Sequence, residues 1–264
     1  MTLFGIKKEH VPFVKLGIVR SRNTFKNLEK NGINTVDDLI SKDVRELSRM
    51  IGKDLSISLK RRAIKAKSPK ESQEKELLKI HAFSLDMELS LFDRLFETAE
   101  KQFELAIEDS IKNLEPFLSV NPFHDQSVSK PEFEGYLKDS KGRTLSTIEG
   151  EKFKLCIECK STTKLTKLIS TDSALEVLKK CPANQYTHKV VIGTPGFEEN
   201  AKKSAEEHNV LLIPISVYAR VLLLAKQNKI NELVLATIFS EIGELTTNKL
   251  KIIIDKEVKE KNVV

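Results

Sequence analysis

A chain of 264 residues, 40% hydrophobic and 31% charged, holds enough apolar material for one large domain or two modest ones. No apolar run approaches the roughly 18–20 residues that span a bilayer, so no membrane segment is expected. The net charge of +6 is unevenly placed: residues 1–70 hold 17 Lys/Arg against 7 Asp/Glu, a net +10, and the remainder is net −4.

A basic front suits a polyanionic partner such as nucleic acid. The opening "MTLFGIKKEHVPFVKLG" lacks an apolar run followed by a small-residue cleavage site. Three cysteines without framework spacing suit a reducing compartment, so a cytoplasmic location is expected.

Residues 10–66 read as short helices joined by tight turns. One runs over Thr24–Lys30 and stops at Asn31-Gly32, where glycine supplies the left-handed cap. Thr35 caps the next, with Asp37 and Asp38 in its first turn complementing the helix dipole. A third spans about Val44 to Met50, and a turn at Gly52 leads into the basic helix "LKRRAIKAK". The polar stretch "KAKSPKESQEKE" has no apolar period and reads as the start of a linker over 69–88 between a 1–68 domain and an 89–264 domain.

From Leu89, apolar residues at Phe92, Leu95, Phe96, Ala99, Phe103, Ile107, Ile111 and Leu114 keep i, i+3, i+4 spacing. This pattern predicts one long helix ended by Pro116. "SVNPFHDQSVSKP" reads as loop, then "EFEGYLKD" and "KFKLCIECKS" as strands. Downstream, "STDSALEVLKKC", "EENAKKSAEEH" and "YARVLLLAKQNK" read as helices alternating with the strands "HKVVIGT" and "VLLIPIS". Such alternation predicts an α/β (α+β) fold with a mixed central sheet. The last stretch starts helical and ends in a charged, frayed tail.

The strand at 153–162 carries the sharpest signal. Alternation puts Phe153, Leu155, Ile157 and Cys159 on a core face, and Lys154, Cys156, Glu158 and Lys160 on a face expected to line a cleft. Cys156 and Cys159 fall on opposite faces, which disfavours a zinc pair. Cys181 reads as a lone helix-end thiol, His124-Asp125 as a loop pair and His188 as structural. "GTPGFEEN" lacks the Gly-Lys-Ser/Thr ending of a phosphate loop and reads as a strand-to-helix turn. A second Glu-x-Lys, Glu257 to Lys259, has no strand and helix after it and is set aside.

Two resemblances follow from these residues. "LEKNGINTVDDLISKDVRELSRMIG" resembles the small helix-hairpin-helix domains of recombinases and repair proteins, with Met50-Ile51-Gly52 where Gly-apolar-Gly is usual. That resemblance implies phosphate contacts from helix N-termini and hairpin backbone, without base reading. It nominates Gly52, Lys53, Lys60, Arg61 and Arg62; a purely protein-binding module is the other reading.

"PEFEG" at 131–135 and "ECK" at 158–160, set in the order helix, hairpin, helix, strand, helix, strand, resemble the PD-(D/E)xK nuclease superfamily over about residues 90–230. The resemblance implies a restriction-endonuclease-like mixed sheet and hydrolysis of double-stranded DNA, of restriction or repair type, with Mg²⁺ or Mn²⁺. It makes Glu158 a metal ligand and sets Lys160 against the attacking water. Glu132 matches the family's Pro-acid pair and Glu134 its acid-Gly form, so both stand as catalytic and metal-binding candidates. The preceding helix offers Glu104 or Glu108, with Glu104 favoured.

These residue types suit the chemistry. Carboxylates hold a hard cation that keeps several waters, and a neighbouring ammonium counters the charge that develops on the phosphate. A non-catalytic DNA-binding or assembly protein is the alternative, kept open by glutamate in place of the usual first-strand aspartate. A junction resolvase would need a homodimer presenting two sites.

Overall fold

The computed structural model describes residues 10–19, 21–123, 130–147, 150–162, 167–182 and 184–261, with the side chains of 70–72 and 258–261 left aside. Two compact units divide the chain, Met1–Leu89 and Ser90–Val264.

The first unit is helical: α1 (Val11–Lys15), α2 (Arg22–Lys30), α3 (Val36–Ser41), α4 (Val44–Ile51), α5 (Lys53–Lys67) and α6 (Lys70–Ser84). Its boundaries are written in short polar residues. Gly32 ends α2 at φ +72°, and the Ile33 amide reaches back to the Leu28 carbonyl at 2.9 Å. Thr35 and Asp38 form a reciprocal capping box on α3, each side chain accepting from the other's backbone amide. Gly52, at φ +87°, turns α4 into α5. These starts and stops align Phe13, Leu28, Ile33, Leu39, Leu47 and Ala63, all fully buried, into one apolar core.

The expected linker is a helix. Lys70–Ser84 is α6, and its second half buries Leu78, Ile80 and Ala82. The polar first half of this helix hid the apolar residues that follow it.

The second unit is built on a six-stranded mixed sheet, among the described residues, of order β1-β2-β3-β4-β5-β6. The strands are β1 (Leu118–Pro122), β2 (Phe133–Leu137), β3 (Lys154–Ser161), β4 (His188–Thr194), β5 (Val210–Pro214) and β6 (Gly243–Glu244). The first three are antiparallel, and β3 to β6 run parallel. Helices α7 (Leu89–Glu97), α8 (Glu100–Ile111), α9 (Thr171–Leu175), α10 (Val177–Lys180), α11 (Glu199–Glu207), α12 (Ile215–Lys226), α13 (Glu232–Phe239) and α14 (Thr247–Lys261) complete it. Cys156, Ala174, Val177, Val191, Phe197 and Ala201 join β3 and β4 to α9, α10 and α11 in one core. The α8 and α12 helices meet through Ser110 and Tyr218, whose hydroxyls lie 2.8 Å apart in the interior.

Three expectations are corrected here. The long helix from Leu89 is two: Ala99 is extended, Glu100 has φ +51°, and the freed Glu100 amide donates to Ser161 Oγ on β3 at 2.6 Å. A tertiary hydrogen bond from the sheet replaces the local turn, so the apolar stripe continues through the break. The segment expected as loop begins with β1, an edge strand whose Pro122 sits where no ladder donor is needed. The stretch expected to end frayed continues as helix α14 to Lys261, with Leu250, Ile253 and Ile254 buried in its first half, and residues 262–264 lie outside the described residues. Glu257 therefore lies on a helix, and His124-Asp125 lies outside the described residues.

Asp43 caps α4 by accepting from the Arg45 amide at 2.7 Å, and its carboxylate pairs with the Arg45 guanidinium. Arg45's side chain first, then its amide, hold the Asp43 carboxyl down at about 2. A folded value below the ordinary carboxylate range stabilises the fold above the unfolded value, and that contribution is lost as pH falls through the folded one. Asp43→Ala should cost about 1 kcal/mol at neutral pH, the usual worth of an N-cap. In urea titrations the deficit should shrink as pH falls from about 4 toward 2. A deficit independent of pH would contradict this role.

Candidate active site

The β3 strand sits where the antiparallel and parallel halves of the sheet meet. Phe153, Leu155, Ile157 and Cys159 are buried, as alternation requires. The other face is not an open cleft: Cys156 and Glu158 are both 0% exposed, because α10 packs over it. Parallel strands covered by helices on both faces bury both sets of side chains.

Ladder register selects between the two first-strand acids. Glu134 stands opposite Cys156 and Phe133 opposite Ile157, so one further step brings Glu132 level with Glu158. Glu132 Oε2 accepts the Cys159 amide at 3.1 Å, and its other oxygen shares the Lys180 ammonium with Glu158. Glu134 turns elsewhere: it pairs with Lys154 at 2.5 Å and accepts from the Tyr136 hydroxyl at 2.8 Å. The structure brings together Glu158, Lys160 and Glu132, and leaves Glu134 out.

Five charged side chains crowd this point. Lys160 Nζ lies 3.1 Å from Glu158 Oε2 and 2.7 Å from Glu176 Oε2. Lys180 Nζ lies 2.9 Å from Glu158 Oε2 and 3.3 Å from Glu132 Oε1. Glu158 Oε1 is buried without a hydrogen-bond partner. Burial, then the neighbouring Glu132 carboxyl, push the Glu158 carboxyl above the ordinary range, against the pull of Lys160 and Lys180. Burial also opposes the charge on Lys160 and Lys180, but their carboxylate partners outweigh it and both are raised.

Glu104 and Glu108 face the same region from α8. With Glu132 and Phe133 they line a small cleft of about 20 Å³, room for roughly one water-sized occupant. Glu104 carries an ion pair to Lys101 at 3.0 Å. Among the described residues no group of three or more His, Cys, Asp or Glu side chains converges to hold a metal ion. Mg²⁺ commonly takes only one or two protein carboxylates and keeps waters and substrate phosphates as its other ligands. An all-oxygen pair with one orphaned, buried oxygen fits that habit.

Sequence reasoning missed Glu176 and Lys180. They are four apart, Glu176 at the N-cap of α10 and Lys180 at its end, the commonest spacing of a surface ion pair, and nothing in "SALEVLKKC" marks them as partners of β3. The adjacent Cys181 is not a lone thiol: it pairs with Cys156, Cα–Cα 6.0 Å, tying the end of α10 to β3. Cys159 is free and buried, and burial pushes its thiol well up. His188 stacks on Phe153 at 4.0 Å. Gly193 stands opposite Lys160 in the ladder, and a Cβ there would meet Phe197 at 2.4 Å. Close packing, not phosphate binding, accounts for that glycine.

In the helical unit the nominated residues separate. Arg62 is exposed and Arg61 half-buried. Lys53 pairs with Asp86 at 2.5 Å and lies 5.5 Å from the Phe83 ring centroid. Lys60 corrects its assignment as a phosphate contact. It is 4% exposed and donates to the Ile40 carbonyl at 2.7 Å and to the Lys42 carbonyl, closing the end of α3. Burial lowers its basicity. No described helix is long and apolar enough to cross a membrane. No family model, curated protein or solved structure matches the chain.

Lys60→Met keeps the volume but strips two carbonyls of their donor, so chemical unfolding should show a loss of about 1–3 kcal/mol. Unchanged stability would contradict the structural role given to Lys60.

Proposed function

We propose that the chain is a Mg²⁺-dependent DNA endonuclease of the PD-(D/E)xK type. The second unit would hydrolyse phosphodiester bonds, and the basic helical unit would hold duplex DNA by its phosphates through Arg61, Arg62 and the turn at Gly52. The observation that carries the reading is Glu158: a fully buried carboxylate with one unpartnered oxygen, beside Glu132 and Lys160. Burying such a group is costly unless its charge is used, and buried carboxylates with shifted ionisation gather at functional sites.

Mn²⁺ or Mg²⁺, held by Glu158 and Glu132, would supply an activated water and neutralise charge on the phosphate. Lys160 presents an ammonium to that phosphate, aimed by Glu176 at 2.7 Å. Glu132 is fixed in place by the Cys159 amide. Glu104 and Glu108 add negative potential from α8. Cutting both strands at one locus would take a homodimer with two such sites.

A second reading, a non-catalytic DNA-binding or assembly protein with a nuclease-like fold, has one observation in its favour. Lys160 and Lys180 already neutralise Glu158 and Glu132, so the network is complete without a metal.

Plasmid nicking separates the two. The nuclease reading expects cutting with Mg²⁺ or Mn²⁺ and none with EDTA. Glu158→Gln and Glu132→Gln should each lower turnover by about 10²-fold or more while DNA affinity holds. Glu134→Gln should cut at the wild-type rate. Folded wild-type protein that binds DNA and never nicks it would leave the second reading standing.

A further inference from the structure

The two lysines at the site are not equivalent. Both touch the same oxygen, Glu158 Oε2, yet Lys160 has a separate counter-ion in Glu176 at 2.7 Å. Lys180 spans the pair itself, 2.9 Å from Glu158 and 3.3 Å from Glu132, with only 11% of its side chain exposed. A divalent cation held between those carboxylates would meet the Lys180 ammonium at a few ångströms, where like charges repel strongly in a poorly solvated setting. Lys160 would keep Glu176; Lys180 would lose both of its ion pairs.

We propose that Lys180 is the resident counter-ion of the carboxylate pair, holding the bridging position in the metal-free protein and leaving it when a divalent cation is bound. Its freed ammonium then pairs with a phosphate of the nucleic-acid backbone. The inference rests on the nuclease reading above. The geometry permits the movement. Cys181, the next residue, is tied to Cys156, so the backbone at the end of α10 stays on β3 while a flexible four-carbon stem swings. The exchange makes metal uptake and phosphate binding cooperative: the cation competes with Lys180 for the carboxylates, and a phosphate that takes up the ammonium relieves that competition.

Titration with Mn²⁺ alone, read by the electron-spin signal of the free ion, tests this on the full chain without reference to cleavage. Removing a competing occupant raises apparent affinity by the inverse of the open fraction, so Lys180→Met should bind Mn²⁺ about tenfold tighter or more. Lys160→Met removes an equal charge at a similar distance and should change affinity far less. A second readout needs no variant. Acetylation of wild-type lysines by an amine-reactive ester, mapped by peptide mass spectrometry, should rise several-fold at Lys180 when Mn²⁺ is added and stay level at Lys160. If wild-type protein binds Mn²⁺ but Lys180→Met gains nothing, or Lys160→Met gains as much, or Lys180 labelling does not rise, the assignment is overturned and the metal reading survives. If neither wild type nor Lys180→Met takes up Mn²⁺, both fall together.

Discussion

A carboxylate taken fully out of water costs several kcal/mol unless charges and donors close around it. Glu158 is such a carboxylate, and much of the second unit is arranged to hold it. Lys160 comes from its own strand, Lys180 from α10, Glu176 from the N-cap of that helix, and Glu132 from the entry to β2. These partners neutralise one oxygen and leave the other with none. Removing a single partner leaves a buried charge uncompensated, which is why such a cluster is sensitive to every member.

The fold converges on this point by two separate ties to β3. Ser161 takes the Glu100 amide and so sets the start of α8, the helix that carries Glu104 and Glu108. Cys156 pairs with Cys181 and sets the end of α10, the helix that Glu176 caps and Lys180 ends. Both ties break an otherwise local pattern, one by interrupting a helix under a continuous apolar stripe and the other by pairing residues 25 apart in sequence. The strand between them is where the sheet changes from antiparallel to parallel, so helices cover both of its faces.

Legibility in the sequence followed the range of the interactions. Caps and turns use short-range chemistry, and Gly32, Thr35, Asp38 and Gly52 could be read directly. The strand-helix alternation and the alternate faces of 153–160 were equally visible, because period 2 and period 3.6 are local properties. Contacts set by tertiary packing were not visible. Lys60 has the composition of a surface cation, yet it closes the carbonyl end of α3 from within the core. Lys180 and Glu176 look like a solvated i, i+4 pair until β3 is laid beneath them. The choice between Glu132 and Glu134 needed the ladder register, which two residues of alternation alone could not supply.

The central claim is that Glu132 and Glu158 form a cation site that Lys180 fills in the metal-free protein. Crystals grown without metal and then soaked in Mn²⁺ test it most directly, through anomalous scattering at the manganese edge. A single peak is expected between the Glu132 and Glu158 carboxylates, with the Lys180 ammonium withdrawn from both. No peak at that position, with Lys180 still bridging the two glutamates at high Mn²⁺, would contradict it.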